Sequence, residues 1–246
     1  MLTRREFIRT AALFALAPHI FAEPEIWVND VHSQLNHTRV RDLLRPRTSD
    51  ELAEIVHSAS RKGLPISVSG CRHSMGGQQF ATDSICIDTR SLDRVISFDQ
   101  ERGLIEAEAG IQWSKLIRTY LHAQADKAKQ WGIAQKQTGA DTFTLGGSLS
   151  SNVHGRGLAM KPLISNIESF TLINADRKSI RCSRDENNEL FRLATGGYGL
   201  FGLIDSVTLR LVPRQKLRRE VEIIRADDLP KRFEERIAQK FLYGDF

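Results

Sequence analysis

Two segments of the chain combine residue types that can hold an extended polar ligand. The first, Gly70-Cys71-Arg72-His73-Ser74-Met75-Gly76-Gly77, places three glycines within eight residues. Glycine tolerates the φ values that turn successive backbone N–H groups to one side, and it lets a ligand come close, so such a loop suits a diphosphate. Its spacing is neither G-x-G-x-x-G nor a Walker A loop, and the usual dinucleotide fingerprints do not apply. Alone, the segment also reads as an ordinary glycine-rich turn. The second segment runs from Thr138 to Gly155 and mixes Gly139, Gly146 and Gly147 with short hydroxyl side chains such as Thr144, Ser150 and Ser151. That composition wraps a polar ligand better than it fills a core.

The elements around these segments follow from hydrophobic spacing. Thr48 and Glu51 make a capping box ahead of Leu52, Ile55, Val56 and Ala59, which predicts a helix over about 49–62 stopped by Gly63. Strands are expected at 65–69, on the way into the first glycine loop, and at 85–88, 95–98 and 104–108. Trp113, Leu116, Ile117, Tyr120 and Leu121 mark one face of a second helix. Further on, strands at 170–172 and 180–182 flank a turn at Asn174–Arg177, and a short helix ends at Ala194 before Gly196-Gly197-Tyr198-Gly199. Alternation from Ser206 to Leu211 predicts a last clear strand ending at Pro213. Beyond it lie a basic stretch (Arg214, Lys216, Arg218, Arg219), a strand expected at 220–224, and a helix carrying Phe233, Ile237 and Phe241. The basic stretch reads as a solvated linker or as an anion-binding or membrane-surface patch. The mixture of helix-linked and hairpin-linked strands gives an α+β fold.

Composition narrows the classes. The 246 residues are 41% hydrophobic and 26% charged, enough for a substantial core, and no apolar run reaches the ~20 residues that span a bilayer. The formal charge of +5 gives little reason to invoke nucleic acid. Cys71, Cys86 and Cys182 are too few and too scattered for a disulfide framework or a zinc site, and no metal is expected. Trp27, Trp113 and Trp131 are expected in the core. Residues 1–22 combine a basic start, a short apolar stretch and a small residue at Ala22, the layout of a signal peptide. Arg4-Arg5 followed by Phe7-Ile8 is similar to a twin-arginine signal, a route for proteins that fold before export, and it predicts a periplasmic or exported protein.

The two loops in order, with the glycine run at 196–202 before the last strand, resemble the PCMH-type FAD-binding domain of the vanillyl-alcohol-oxidase superfamily. The resemblance covers about Val40 to Pro213 and implies a two-subdomain fold with FAD as cofactor. It divides the chain into a leader (1–22), a linker (23–38), the FAD domain (39–213) and the start of a truncated substrate or cap domain (214–246). Carried over by position, it implies a pyrophosphate loop of Ser69, Gly70, Cys71, Arg72, His73 and Ser74. Gly139, Thr144, Gly146, Gly147, Ser151, Asn152 and His154 would line the isoalloxazine and ribityl chain, and Ile204 would contact the cofactor through its backbone. His73 falls where some members tether the flavin 8α carbon to a histidine; otherwise it is a loop histidine satisfied by hydrogen bonds. His154 is either structural or near substrate. The implied activity is FAD-dependent oxidation of a CH–OH group of a sugar, polyol or aldonolactone, with hydride passing to flavin N5 and electrons to oxygen or another acceptor. The shortness of the chain also suggests a flavin-binding remnant without turnover. The resemblance assigns no catalytic base, because relatives commonly draw it from the cap domain.

Overall fold

The computed structural model describes residues 25–139 and 141–246. The leader expected at 1–22 lies outside the described residues.

The chain enters through β1 (Ile26–Val28), paired antiparallel with β2 (Thr38–Val40). A parallel sheet in the order β3–β5–β4 follows, built from β3 (Asp42–Leu44), β4 (Ile66–Ser69) and β5 (Ile85–Asp88). Helix α1 (Ser49–Arg61) connects β3 to β4 as the crossover that parallel strands require. Its start is the expected capping box with one bond moved. Thr48 Oγ1 accepts the Glu51 N–H at 3.1 Å, while the Glu51 carboxylate accepts from Arg47 N at 2.8 Å rather than from Thr48. The helix buries Leu52, Ala53, Val56 and Ala59 against Ile85 and Ile87.

The second lobe is a five-stranded antiparallel sheet. It comprises β6 (Val95–Asp99), β7 (Leu104–Glu108), β9 (Ile167–Ile173), β10 (Ser179–Ser183) and β11 (Leu203–Arg210), in the order β10–β9–β11–β7–β6. Between β7 and β9 run α2 (Trp113–Ala123), a two-residue strand β8 (Trp131–Gly132) and the short α3 (Leu145–Ser150). The helix α4 (Asn188–Ala194) precedes β11. Trp113, Leu116, Leu145, Leu149 and Phe191 from these helices pack on the sheet in one core. Each leucine so buried contributes roughly 1.5–3 kcal/mol. Gly103 closes the β6–β7 turn at φ 68°, where a Cβ would come within 2.6 Å of the Trp131 ring. Ile173 and Leu203 of this sheet also belong to the core under α1, so the lobes share packing.

Several expectations change. The stretch expected as a linker at 23–38 contains β1, and the loop after it is tied to the first glycine loop. The strand expected at 220–224 does not form, because no strand lies beside it. Instead Glu220 and Glu222 pair with Arg232 and Arg236 of α5 (Leu229–Ala238), leaving Val221 and Ile223 exposed. Phe233 and Ile237 lie on that helix, and Phe241 follows its end. Trp113 and Trp131 are buried as expected, but Trp27 is exposed and its indole N–H donates to Glu25. Cys86 and Cys182 are buried, and no cluster of metal-ligating side chains occurs among the described residues.

Candidate functional site

A cleft opens where the two lobes meet, and three segments far apart in sequence form its walls. The first is the loop leaving β4. The backbone N–H groups of Cys71, Arg72, His73 and Ser74 donate to no protein acceptor among the described residues. Unspent donors in a row are what an anionic group needs. The N-terminal segment braces this loop from behind. Val31 N–H donates to Arg72 O at 2.9 Å, and both Ser33 Oγ and Asn36 Nδ2 donate to Met75 O at 3.0 Å. Asp30 in turn fixes the brace by accepting from the N–H groups of His32 and Ser33 at 2.8 and 2.6 Å.

The second segment is the turn into α3. Gly70 of the first loop lies so close to it that a Cβ there would stand 2.2 Å from Thr144 Oγ1, and a Cβ on Gly146 would stand 2.6 Å from that of Ala109. Thr144 Oγ1 caps α3 by accepting from Gly147 N at 3.3 Å. The third segment contributes Tyr198, Gly199, Gly202, Leu203 and Ile204. Gly202 adopts φ 132°, a conformation open to glycine, with Leu172 Cδ2 2.2 Å from where a Cβ would sit. Tyr198 and Arg72 hold positive φ of 52° and 60° without being glycine. Such local strain of order 1–3 kcal/mol is characteristic of ligand-clamping backbone.

His73 is bonded on both sides of its ring. Nε2 lies 2.8 Å from Thr142 Oγ1 and Nδ1 lies 2.8 Å from His32 Nε2, while the ring rests 4.3 Å from that of Phe143. Burial, and then the neighbouring His32, lower its pKa below the ordinary 6.5, which keeps the imidazole neutral at pH 7. Burial pushes the Cys71 thiol up, opposed by the Gln112 amide that donates to its sulfur at 2.9 Å. Cys71 is therefore a protonated thiol at neutral pH. Arg72 Nε and both ends of the Gln79 amide are buried with no hydrogen-bond partner among the described residues, and both residues border the cleft. Buried polar atoms left unpaired in a cavity wall await a polar ligand.

Ten of the residues expected at the site come together on the cleft wall: Gly70 to Ser74, Thr144, Gly146, Gly147, Ser151 and Ile204. Four do not border it. Ser69 turns its hydroxyl toward Cys86, Asn152 spends its side-chain oxygen on the Ile164 N–H at 3.1 Å, and His154 is exposed beside Gly155 O. Gly139 has open space around it. Sequence reasoning missed Gln78 and Gln79, although two amides directly after a glycine loop were a readable signal. It also missed Thr89 and Ala109, which arrive from β-strand ends and carry no local signal.

A cleft between a parallel and an antiparallel lobe, walled by glycines and unspent backbone donors, defines a domain that holds an extended phosphate-bearing cofactor. Residues 41–183 match the family described as FAD binding domain, and the chain belongs to it. An L-gulonolactone oxidase of Scyliorhinus torazame is 30% identical over 169 residues, 68% of this chain and 36% of that one. The mitochondrial L-galactono-1,4-lactone dehydrogenase of Brassica oleracea is 24% identical over 87% of this chain and 36% of its own length. Among solved structures, an alkyldihydroxyacetonephosphate synthase shares the fold, with a TM-score of 0.61 at 18% identity over 70% of this chain and 31% of that one. The chain thus spans a little over a third of the curated relatives it matches.

The residues present fit FAD. The free N–H groups of 71–74 and Arg72 suit its diphosphate, the unpaired Gln79 amide suits a donor–acceptor edge of a ring, and the glycines of all three segments leave room for close approach. Bound there, FAD supplies two-electron redox chemistry, and the protein supplies position and electrostatics.

Proposed function

We propose that this chain provides the FAD-binding part of an exported oxidoreductase acting on a CH–OH group of a sugar, polyol or aldonolactone. FAD held in the cleft would take the substrate hydride at N5, and dioxygen or another acceptor would take the electrons. The observation that carries the reading is the convergence of unspent loop N–H groups, the unpaired Gln79 amide and three glycine segments on one cleft. The relatives named for gulonolactone and galactonolactone point to a lactone or its parent sugar as the substrate class.

In this reading His73 carries the flavin covalently through its 8α carbon. A neutral imidazole in the cleft wall has the lone pair that such a bond needs. A tether also keeps the cofactor from being lost to dilution outside the cytoplasm, which agrees with reading residues 1–22 as a twin-arginine leader.

Titration of the purified chain with FAD tests the cofactor part: one equivalent should quench, and protein that leaves FAD fluorescence unchanged defeats the proposal. Acid precipitation then tests the tether, with a yellow pellet expected from the wild type and a colourless one from His73→Ala. Dye reduction against polyols and aldonolactones tests the substrate class.

A further inference from the structure

His73 has no free ring nitrogen, and that bears on how it could bond to flavin. His32 occupies Nδ1 and Thr142 occupies Nε2, each at 2.8 Å. Neither neighbour is placed by accident of a mobile surface. The backbone at His32 is pinned by the Asp30 carboxylate, and Thr142 directly precedes Phe143, whose ring packs on His73. His32 also lies outside residues 41–183, the part that matches the family.

We infer that His32 and Thr142 form a two-sided clamp that sets His73 for bonding to flavin, one partner giving way to the flavin carbon while the other stays as the hydrogen-bond partner of the remaining ring nitrogen. The inference rests on the covalent reading above. An imidazole attacks only through the nitrogen that carries no proton, and the hydrogen bond at the other nitrogen decides which one that is. With both nitrogens occupied, bond formation must displace one partner, and the two partners then have unequal roles. The N–C8α bond forms, one C–H of the 8-methyl group and the imidazole N–H break, and the two electrons and two protons remain on the flavin. Dioxygen then removes them as hydrogen peroxide.

His32 and Thr142 are both exposed, so substitution there leaves the core intact. Apoprotein of the wild type, His32→Ala and Thr142→Val is mixed with saturating FAD in air, and acid-stable flavin is followed with time beside the dissociation constant for FAD. Partners that orient a metal-ligating histidine are worth about 10–100-fold, and the same scale is expected for partners that orient His73. The expected result is asymmetric: one variant tethers at least about tenfold more slowly, the other as fast as the wild type or faster, with FAD affinity unchanged in both. Restoring a hydrogen-bonding group in the slow variant, by His32→Gln or Thr142→Ser, should recover much of the rate. Equal slowing of both variants, slowing of neither, or a slow variant that the conservative replacement does not rescue overturns the clamp while leaving the tether standing. A wild type that gives no acid-stable flavin removes the tether, and the clamp with it.

Discussion

Gly70 and Thr144, 74 positions apart, approach so closely that no side chain fits between them. A methyl group at Gly70 would stand 2.2 Å from Thr144 Oγ1 and 2.8 Å from its Cγ2. The same hydroxyl caps α3, so the contact couples the first glycine loop to the helix that forms the opposite wall. Gly70→Ala should displace Thr144, weaken the cap and cost roughly 1–3 kcal/mol of stability, as overpacking does. FAD affinity should fall about tenfold or more, equivalent to about 1.4 kcal/mol. Adding Thr144→Ala removes both clashing atoms, and the double variant should bind FAD more tightly than Gly70→Ala alone. Isothermal titration of the three variants checks this, and strictly additive losses would show that the two loops are not coupled here.

Cys71 offers a second test, of where the cofactor lies. Cys86 and Cys182 are fully buried, whereas Cys71 is partly open in the cleft wall with its thiol pKa raised by burial. Because the thiolate is the reacting species, alkylation of folded protein should be confined to Cys71 and should be slower at pH 7.5 than for a free thiol, speeding up as pH rises. Bound FAD should slow it further, by about tenfold if the cofactor shields the site nine-tenths of the time. Peptide mass spectrometry after timed iodoacetamide treatment reads both effects. Labelling of Cys71 that ignores FAD would place the cofactor elsewhere.

The reading of residues 1–22 as a twin-arginine leader makes an independent prediction about destination. A reporter that folds in the cytoplasm, fused behind residues 1–22, should reach the bacterial periplasm through Arg4-Arg5. Replacing both arginines by lysine keeps the charge but removes the pair that the receptor reads, and fractionation should then find the reporter in the cytoplasm. Export that survives the replacement would assign these residues to another route.

The loops of the site were legible in the sequence because their signal is local. Glycine at 70, 76 and 77 and the hydroxyl-rich run to Ser151 advertise unusual backbone and spare donors wherever they fall in the chain. His32 carried no such mark. It meets His73 only because β1 pairs with β2 and Asp30 turns the chain back toward the loop, a consequence of tertiary structure. Asn152 shows the opposite case: its position in the motif pointed to the ligand, yet its amide oxygen is needed by the Ile164 N–H. At 220–224 a strand was expected, but a strand requires a neighbour, and Arg232 and Arg236 satisfy Glu220 and Glu222 without one.

Asp30 should make the site sensitive to acid. Burial by itself would raise its pKa, but the Ser33 hydroxyl and the N–H groups of His32, Ser33 and Gln34 outweigh it and bring the value down from 3.8 to about 2. A carboxylate with a depressed folded pKa contributes its stabilisation fully above the unfolded value and loses it as pH falls toward the folded one. The bracing of the first glycine loop should therefore be complete above about pH 4 and fade between about pH 4 and pH 2. Amide exchange read by mass spectrometry should show protection at 31–34 falling across that window, and Asp30→Ala should lack the protection at neutral pH already. In Asp30→Asn the side-chain oxygen still accepts but carries no charge, so protection should be intermediate and flat with pH. A wild-type profile as flat as that of Asp30→Asn would mean that the charge on Asp30 does not hold the brace.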